Sequence, residues 1–412
     1  MTGLAELKAL NREQRAAFIA SLLGWTLDAF DFFLLIFVMR SIATDFHAQV
    51  KDVAVSLMLT LAFRPVGALI FGWLADRYGR RPVLMADILL FSALELAVAF
   101  APSLPALLVL RALFGIAMGG EWGVGSSLVM ESIPPRSRGI VSGILQEGYA
   151  LGFLLAAVVY GIFFAWVGWR GLFVIGSLPA FLVLYIRLGV KESPGWERSR
   201  QHTTPAALFA HLARHWKLFL YVVALMTAFT FLSHGTQDLY PTFLQAQHAL
   251  STHTVSAIAI VANLGAICGG VCFGAYSQRR GRRRAIIVAA VLALPIIPLW
   301  AFAATPVLLG FGAFLMQFAV QGAWGVVPAH LNELSPAEIR GTFPGLTYQL
   351  GNLLASSNAV LQARFAAAHG GNYGLALALV AAGTVVAIVA ITACGKEARE
   401  KVLGAVPARQ IA

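Results

Sequence analysis

Eleven ionisable side chains interrupt otherwise apolar runs of this sequence: Asp28, Asp31, Arg64, Asp87, Glu95, Arg111, Glu121, Glu147, His234, Asp238 and His330. A charge in an apolar medium costs several kcal/mol unless it is paired or hydrated, so each is a candidate for function. His234 and Asp238 stand four apart in SHGTQDLYPT, residues 233–242, and would share one face of a helix. An imidazole and a carboxylate at this spacing can share a proton near neutral pH. Pro241 removes a backbone donor and predicts a kink near Gln237. The competing reading is a polar helix end capped by Asp238. Arg64 lies inside LAFRPVGALIFG. Its guanidinium fork fits a carboxylate ligand, or an ion pair with Asp31 or Glu121. Asp28 and Asp31 are three apart, too close for both to ionise in a poor dielectric. One of them is a candidate proton carrier, or both serve packing. Asp87 and Glu95 read as structural. Arg111 and Glu121 are ten apart, so each needs a partner elsewhere. His330 reads as an interface histidine.

The elements that must hold these groups are membrane helices. The chain has 412 residues, of which 59% are hydrophobic and 12% charged, against about 25% charged in soluble domains. Apolar stretches long enough to cross a bilayer are predicted near 17–40, 53–75, 82–101, 104–131, 139–166, 169–190, 216–243, 252–276, 284–303, 306–332, 340–366 and 371–394. The class is an all-α membrane protein of twelve transmembrane helices. The net charge of +11 is unevenly spread. Twenty-four of the 30 Lys and Arg fall on one side of these spans, four on the other, and Arg64 and Arg111 within them. That asymmetry places both termini in the cytoplasm of a bacterial inner membrane, the lipid bilayer being the main partner, and argues against nucleic acid. The first fifteen residues are polar and charged, which argues against a cleaved signal. Cys268, Cys272 and Cys394 imply neither a disulfide framework nor a metal site, and the first two are expected at a helix–helix contact beside Gly265 and Gly269.

An offset of 202 residues superimposes the two halves without a gap. Gly72, Arg77, Gly79, Arg80 and Arg81 match Gly274, Arg279, Gly281, Arg282 and Arg283. Gly120, Trp122, Glu131, Pro134, Arg138 and Gly139 match Gly322, Trp324, Glu333, Pro336, Arg340 and Gly341. The chain is read as two six-helix halves, 1–190 and 216–394, joined by a polar loop at 191–215 and followed by a tail at 395–412. Repeated halves are how many transporters alternate access about a midplane site. Asp76, at a helix end, can pair with Arg and with a helix N-terminus, and such contacts would hold one side shut. The same gating part is expected of Arg77, Arg80, Glu131, Arg138, Glu333 and Arg340. Gln278 stands where a second Asp76 would be, making that loop the weaker latch.

GWLADRYGRRPVL at 72–84 resembles the signature loop between helices 2 and 3 of the major facilitator superfamily, and GAYSQRRGRRR at 274–284 resembles a degraded second copy. The loops from Glu131 to Gly139 and from Glu333 to Gly341 resemble that family's acidic–Arg–Gly loops, and KESPGW at 191–196 resembles its motif after helix 6 in sugar-porter-like branches. The resemblance covers nearly the whole chain and implies the major facilitator fold, two pseudo-symmetric six-helix halves. The string around His234 is similar to the helix 7 motif of lactate and monocarboxylate permeases in the sialate:proton symporter family. Ser233, His234, Thr236, Gln237, Asp238 and Thr242 match, whereas Thr230 stands where Asn is expected. GWTLDAFDFF at 24–33 resembles that family's helix 1. The likeness implies Arg64 as the ligand of the substrate carboxylate, with Gln237, Ser233, Thr236, Gln349 and Tyr149 around it. Glu147, the 202-offset mate of Gln349, is expected to face the cavity and to join His234, Asp238, Asp28 and Asp31 in proton coupling.

The expected function is proton symport of a small monocarboxylate, L-lactate or pyruvate, by a monomer without cofactor or metal. A larger acid is the alternative, and a membrane sensor a more distant one. The sequence holds no nucleophile elbow, phosphate-binding loop or HExxH site, so it does not read as an enzyme or as driven directly by ATP.

Overall fold

The computed structural model describes residues 3–199, 204–399 and 403. Membrane-crossing helices account for nearly all of them. The first four are α1 (Arg12–Asp45), α2 (Val50–Tyr78), α3 (Arg80–Ala99) and α4 (Leu104–Ser132). The 55-residue apolar run Pro135–Gly189 holds two crossings. α5 (138–167) starts as Arg138–Gln146 and resumes at Gly148. At Gly168 the backbone turns to φ 62°, a conformation only glycine adopts freely, and α6 (169–189) begins. The second half contains α7 (216–246), α8 (Thr252–Arg280), α9 (Arg282–Phe302), α10 (306–334), α11 (343–368) and α12 (Tyr373–Cys394). Three of these are broken. α7 pauses between Gln237 and Tyr240, one residue before the kink-forming Pro241, α10 between Trp324 and Val327, and α11 between Ala355 and Asn358. The loop around 191–215 carries the short helices Pro194–Ser199 and Pro205–Arg214. Residues 200–203, and those beyond 399 apart from Leu403, lie outside the described residues.

The repeat is visible in the helix boundaries. α2 and α8 share both ends at the offset of 202, and α4 and α10 share their C-terminal residue. The turns that follow α2 and α8 each reverse the chain through one glycine with positive φ, Gly79 at 108° and Gly281 at 95°. N-caps fix the starts. Asn11 closes a capping box on α1, and Ser103, Ser251, Thr305 and Asn372 each accept from a backbone N–H one turn on. Mean hydropathy is +0.77, and most spans are apolar all round. The helices are therefore sorted by where small residues let backbones meet. A Cβ on Gly67 would overlap the backbone of Ile116 in α4, and the offset mates Gly269 and Phe318 repeat this contact between α8 and α10. Cys268 and Cys272 depart from expectation. Both are exposed, and only Gly265 and Gly269 face the neighbouring helix.

The two halves meet at the end that carries the basic residues. A Cβ on Gly72 would stand 2.5 Å from the Thr342 backbone, and one on Gly274 would stand 2.6 Å from the Gly139 oxygen. Trp122 of the first half packs at a tilt against Tyr348 of the second, their centroids 4.7 Å apart, and Trp324 meets the same Tyr348 edge-on at 5.5 Å. This aromatic layer forms a floor, with the sealed seam beneath it. Gly274→Val should therefore keep the basic end from closing. Pulsed-EPR distances between labels at Tyr78 and Arg280, in a background without the native cysteines, are expected to lengthen. An unchanged distribution would show that the seam tolerates the methyl groups.

Candidate substrate and proton site

Below the floor, charges absent from ordinary apolar packing tie the halves together. Asp76 bonds Arg80 at 3.0 Å and accepts from Gly341 N at 2.6 Å, Thr342 N at 3.0 Å and the Thr342 hydroxyl at 2.7 Å. Those amides open α11, so the carboxylate sits on a helix N-terminus of the other half. Gln278, its mate, accepts from Gly139 N at 3.1 Å and from Arg282 at 3.0 Å. The geometry is the same without the charge. Glu131 holds Arg80 at 3.0 Å and, across the seam, Arg340 at 3.4 Å. By the same offset Glu333 holds Arg282 at 2.9 Å and, across the seam, Arg138 at 3.7 Å. Arg340 and Arg138 also donate to the carbonyls of Asn332 and Met130. Glu192 accepts from the backbone N–H groups of Arg80 and Arg81 at the start of α3, and Glu397 does the same for Arg282 and Arg283 at α9.

Above the floor the side chains differ in kind. Arg64 of α2 is 4% exposed, and its Nε and Nη2 have no hydrogen-bond partner. Tyr149, Tyr348, His234, Asp28 and Glu121 all lie within electrostatic reach of it. Tyr149 stacks on Trp25 at 5.7 Å and meets Phe33 at 5.0 Å. On the facing wall His234 Nδ1 lies 3.1 Å from Asp238, with these side chains 43% and 39% exposed. These side chains are less enclosed than Arg64, which lies within electrostatic reach of His234. A polar layer backs it. Gln237 donates to Gln317 at 2.7 Å, Gln321 donates to Ser233, and the Thr230 hydroxyl donates to Asn352, whose amide donates to Gln349 Oε1 at 3.0 Å. Gln349 is buried, with no partner for Nε2. The site thus offers one unsatisfied guanidinium, aromatic walls and a half-buried imidazole–carboxylate pair, a set suited to a small organic anion.

Residues 21–359 match the family described as Major Facilitator Superfamily. The chain belongs to the major facilitator superfamily. A sialic acid transporter of Escherichia coli, NanX, is 30% identical over 90% of this chain and 91% of its own length. A carboxylic acid transporter protein homolog of Saccharomyces cerevisiae is 31% identical over 88% of this chain, which spans 63% of that relative's length. A probable 4-methylmuconolactone transporter of Cupriavidus pinatubonensis is 31% identical over 86% of this chain and 84% of its own. Among solved structures, the proton:xylose symporter XylE superimposes with a TM-score of 0.80 over 95% of this chain and 98% of that one, at 19% identity. The protein is an integral membrane transporter of major facilitator fold, not an enzyme.

In this transporter the expected gating residues converge, except Arg77. Its guanidinium lies over Trp73 and Tyr78 and forms no carboxylate pair among the described residues. Arg80, expected to help gate, is buried and bonded to both Asp76 and Glu131. Of the expected substrate ligands, Arg64 and Tyr149 stand together, and Ser233 and Gln237 lie on the facing wall. Thr236 is buried, donates to the Leu232 carbonyl and accepts from Gln317, so its hydroxyl is used within its own half. Glu147, expected to face the cleft as the mate of Gln349, has its Oε1 turned to α8. It sits at the break in α5, and a Cβ on Gly270 of α8 would overlap its Oε1. Arg64 forms no ion pair with Asp31 or Glu121. Arg111 finds its partner in Glu95 at 2.9 Å. Gln317, Gln321 and Asn352, neutral amides like the expected Gln237 and Gln349, were not among the expected residues. An amide inside an apolar run was the available signal.

The latch can be tested without substrate. Glu131→Gln leaves Arg80 and Arg340 short of charge in a buried place, a loss of roughly 3–5 kcal/mol. A Cys at the buried seam position Ala75 should then react faster with a maleimide. Asp45→Asn, which removes an exposed bridge to Arg170 at the opposite end, should leave that rate unchanged. Equal labelling in both variants would contradict the latch.

Proposed function

We propose that this transporter is a proton-coupled symporter of small monocarboxylates, with L-lactate and pyruvate foremost, working as a monomer in the bacterial inner membrane. The observation that carries the reading is Arg64, a buried guanidinium with two unpartnered nitrogens beside Tyr149 and opposite the exposed His234–Asp238 pair. The relatives named for carboxylic and sialic acids support an acidic cargo. The basic end is taken as cytoplasmic with both termini, so the sealed seam faces inward and the site opens outward. His234–Asp238 takes a proton from the outer solution. The substrate anion binds Arg64, with Gln237, Ser233 and Gln349 as hydrogen-bonding neighbours. The loaded site is nearly neutral, which lowers the cost of occluding it. The two six-helix units, 1–190 and 216–394, then rock about it, with 191–215 as their tether. One proton with one monovalent anion moves no net charge, so the pH gradient drives uptake.

A second reading has specific support. Relatives named for sialic acid, cis,cis-muconate and niacin point to a larger or aromatic acid at the same arginine, with Trp25 and Tyr149 as its stacking wall.

A scintillation-proximity binding panel of lactate, pyruvate, sialate, niacin and benzoate separates the two readings. Under the first, lactate and pyruvate displace the probe best. Arg64→Ala should weaken the preferred acid about 10- to 100-fold, the loss of a charge-assisted bond, and Arg64→Lys should fall in between. Asp238→Asn should abolish accumulation against a gradient. An Asp238→Asn protein that still concentrated lactate would sink the coupling role of the pair.

A further inference from the structure

The aromatic wall beside Arg64 does not end at the site. Trp25 stacks on Tyr149 at 5.7 Å, and Tyr149 meets Phe33 edge-on at 5.0 Å. Phe33 in turn meets Phe153 at 5.0 Å, and Phe153 meets Phe37 at 5.8 Å. Phe37 stacks on Tyr160 at 5.3 Å, and Tyr160 on Phe164 at 4.7 Å. Seven rings from α1 and α5 thus make one unbroken ladder. On α5 it runs from Tyr149 to Phe164, about 22 Å along the axis and away from the basic end.

The ladder on α5 faces away from lipid. Leu151, Leu155, Val158 and Ile162 form the exposed stripe of that helix. Tyr149, Phe153 and Tyr160 each stand two residues before a member of that stripe, about 200° around the helix. Tyr149 fixes which way their face looks, since it lies within electrostatic reach of Arg64 and, across the cleft, of Asp238 and Tyr348. Phe33, Phe37, Tyr149, Phe153, Tyr160 and Phe164 are all half-buried. The rings cover one another in part and leave the rest of their surface open.

The repeat shows that helix packing does not require the rings. The offset mates of Phe33, Phe37, Phe153, Tyr160 and Phe164 are Gly235, Leu239, Ala355, Gln362 and Ala366, and those of Trp25 and Tyr149 are Thr227 and Gly351. None of these is aromatic. Gly351 instead lets α11 close on α7, where a Cβ would stand 2.8 Å from the Met226 backbone. Small residues are enough to join two membrane helices. The ladder, with a guanidinium at its inner end, is therefore a surface with its own chemistry. It offers a charge-assisted contact for a carboxylate and, above that, stacking and edge contacts for a flat π-system.

We propose that the ladder is a binding strip for planar carboxylic acids, aromatic or conjugated. The carboxylate sits at Arg64, whose Nε and Nη2 are unpartnered, and the flat body lies along the rings toward the outer end. A one-ring acid reaches Tyr149 and Phe33. A longer one also covers Phe153 and the rings beyond. Small acids use the inner end alone, so the two classes compete for one guanidinium. This inference rests on Arg64 as the anion site of the proposed function and is independent of how the proton is carried.

Titration calorimetry of the purified protein tests this, with benzoate, biphenyl-4-carboxylate and 4-cyclohexylbenzoate as probes and lactate as the small acid. Wild type should bind the biphenyl acid more tightly than benzoate. It should also prefer it to the cyclohexyl acid, which is as long and apolar but has a puckered outer ring. Phe153→Leu should weaken the biphenyl acid about 2- to 10-fold, the worth of one aromatic pair, and leave benzoate and lactate unchanged. Phe33→Leu should weaken both aromatic acids and leave lactate unchanged. Phe153→Tyr, which keeps a ring, should bind the biphenyl acid as wild type does. Unchanged benzoate binding shows Phe153→Leu to be folded, and should that variant not fold, Phe37→Leu takes its place. A biphenyl acid bound no better than the cyclohexyl acid overturns the proposal, as does a Phe153→Leu protein that loses nothing or loses all the acids equally. Aromatic acids bound without lactate would defeat the lactate reading and leave the ladder standing. If Arg64→Ala leaves every acid bound, the anion site itself falls, and the ladder with it. If Arg64→Ala releases them while the ladder variants change nothing, only the ladder falls.

Discussion

A charge inside the apolar interior is costly unless it finds a counter-charge within the protein, and this constraint organises the seam between the halves. Water cannot screen Asp76, Glu131 or Glu333 where they lie, and an unpaired ion there would cost several kcal/mol. Each is paired within its own half, to Arg80 or Arg282, and a second time across the seam, to the Gly341 and Thr342 amides, Arg340 or Arg138. Opening the basic end must replace those partners with water, which makes the seam an equilibrium element and not a permanent joint.

Duplication gives the same device twice, and the two copies have diverged. The pairs Glu131–Arg340 and Glu333–Arg138 are related by the repeat, as are the amide contacts of Asp76 and Gln278. With a carboxylate at one seam and an amide at the other, the helix N-terminus of α11 meets a full charge and that of α5 only a dipole. Above the floor the halves differ more. The first carries the buried carboxyls and both intramembrane arginines, the second a hydrogen-bonded amide layer and one exposed His–Asp pair.

What the sequence revealed follows from what is local. The twelve spans, the repeat, the turn glycines at 79 and 281, and the acceptor role of Asp76 all depend on runs or spacings within one loop. The His234–Asp238 contact was legible because four residues is one helical turn. Facing was not legible. Spans such as α2 are apolar on every side, so periodicity does not tell which residues look inward. That is why the Arg111–Glu95 pair, the turn of Glu147 toward Gly270, the burial of Thr236 and the exposure of Cys268 and Cys272 appeared only when neighbouring helices were in place.

The central claim is that a monocarboxylate and a proton cross together, with the anion held at Arg64. Internal pH of proteoliposomes, followed by a trapped dye after lactate is added outside with the membrane potential clamped, tests it most directly. Rapid lactate-dependent acidification in wild type, absent in Arg64→Ala liposomes of equal protein content, is the expected result. Labelled lactate entering the wild-type liposomes with no change of internal pH would contradict it.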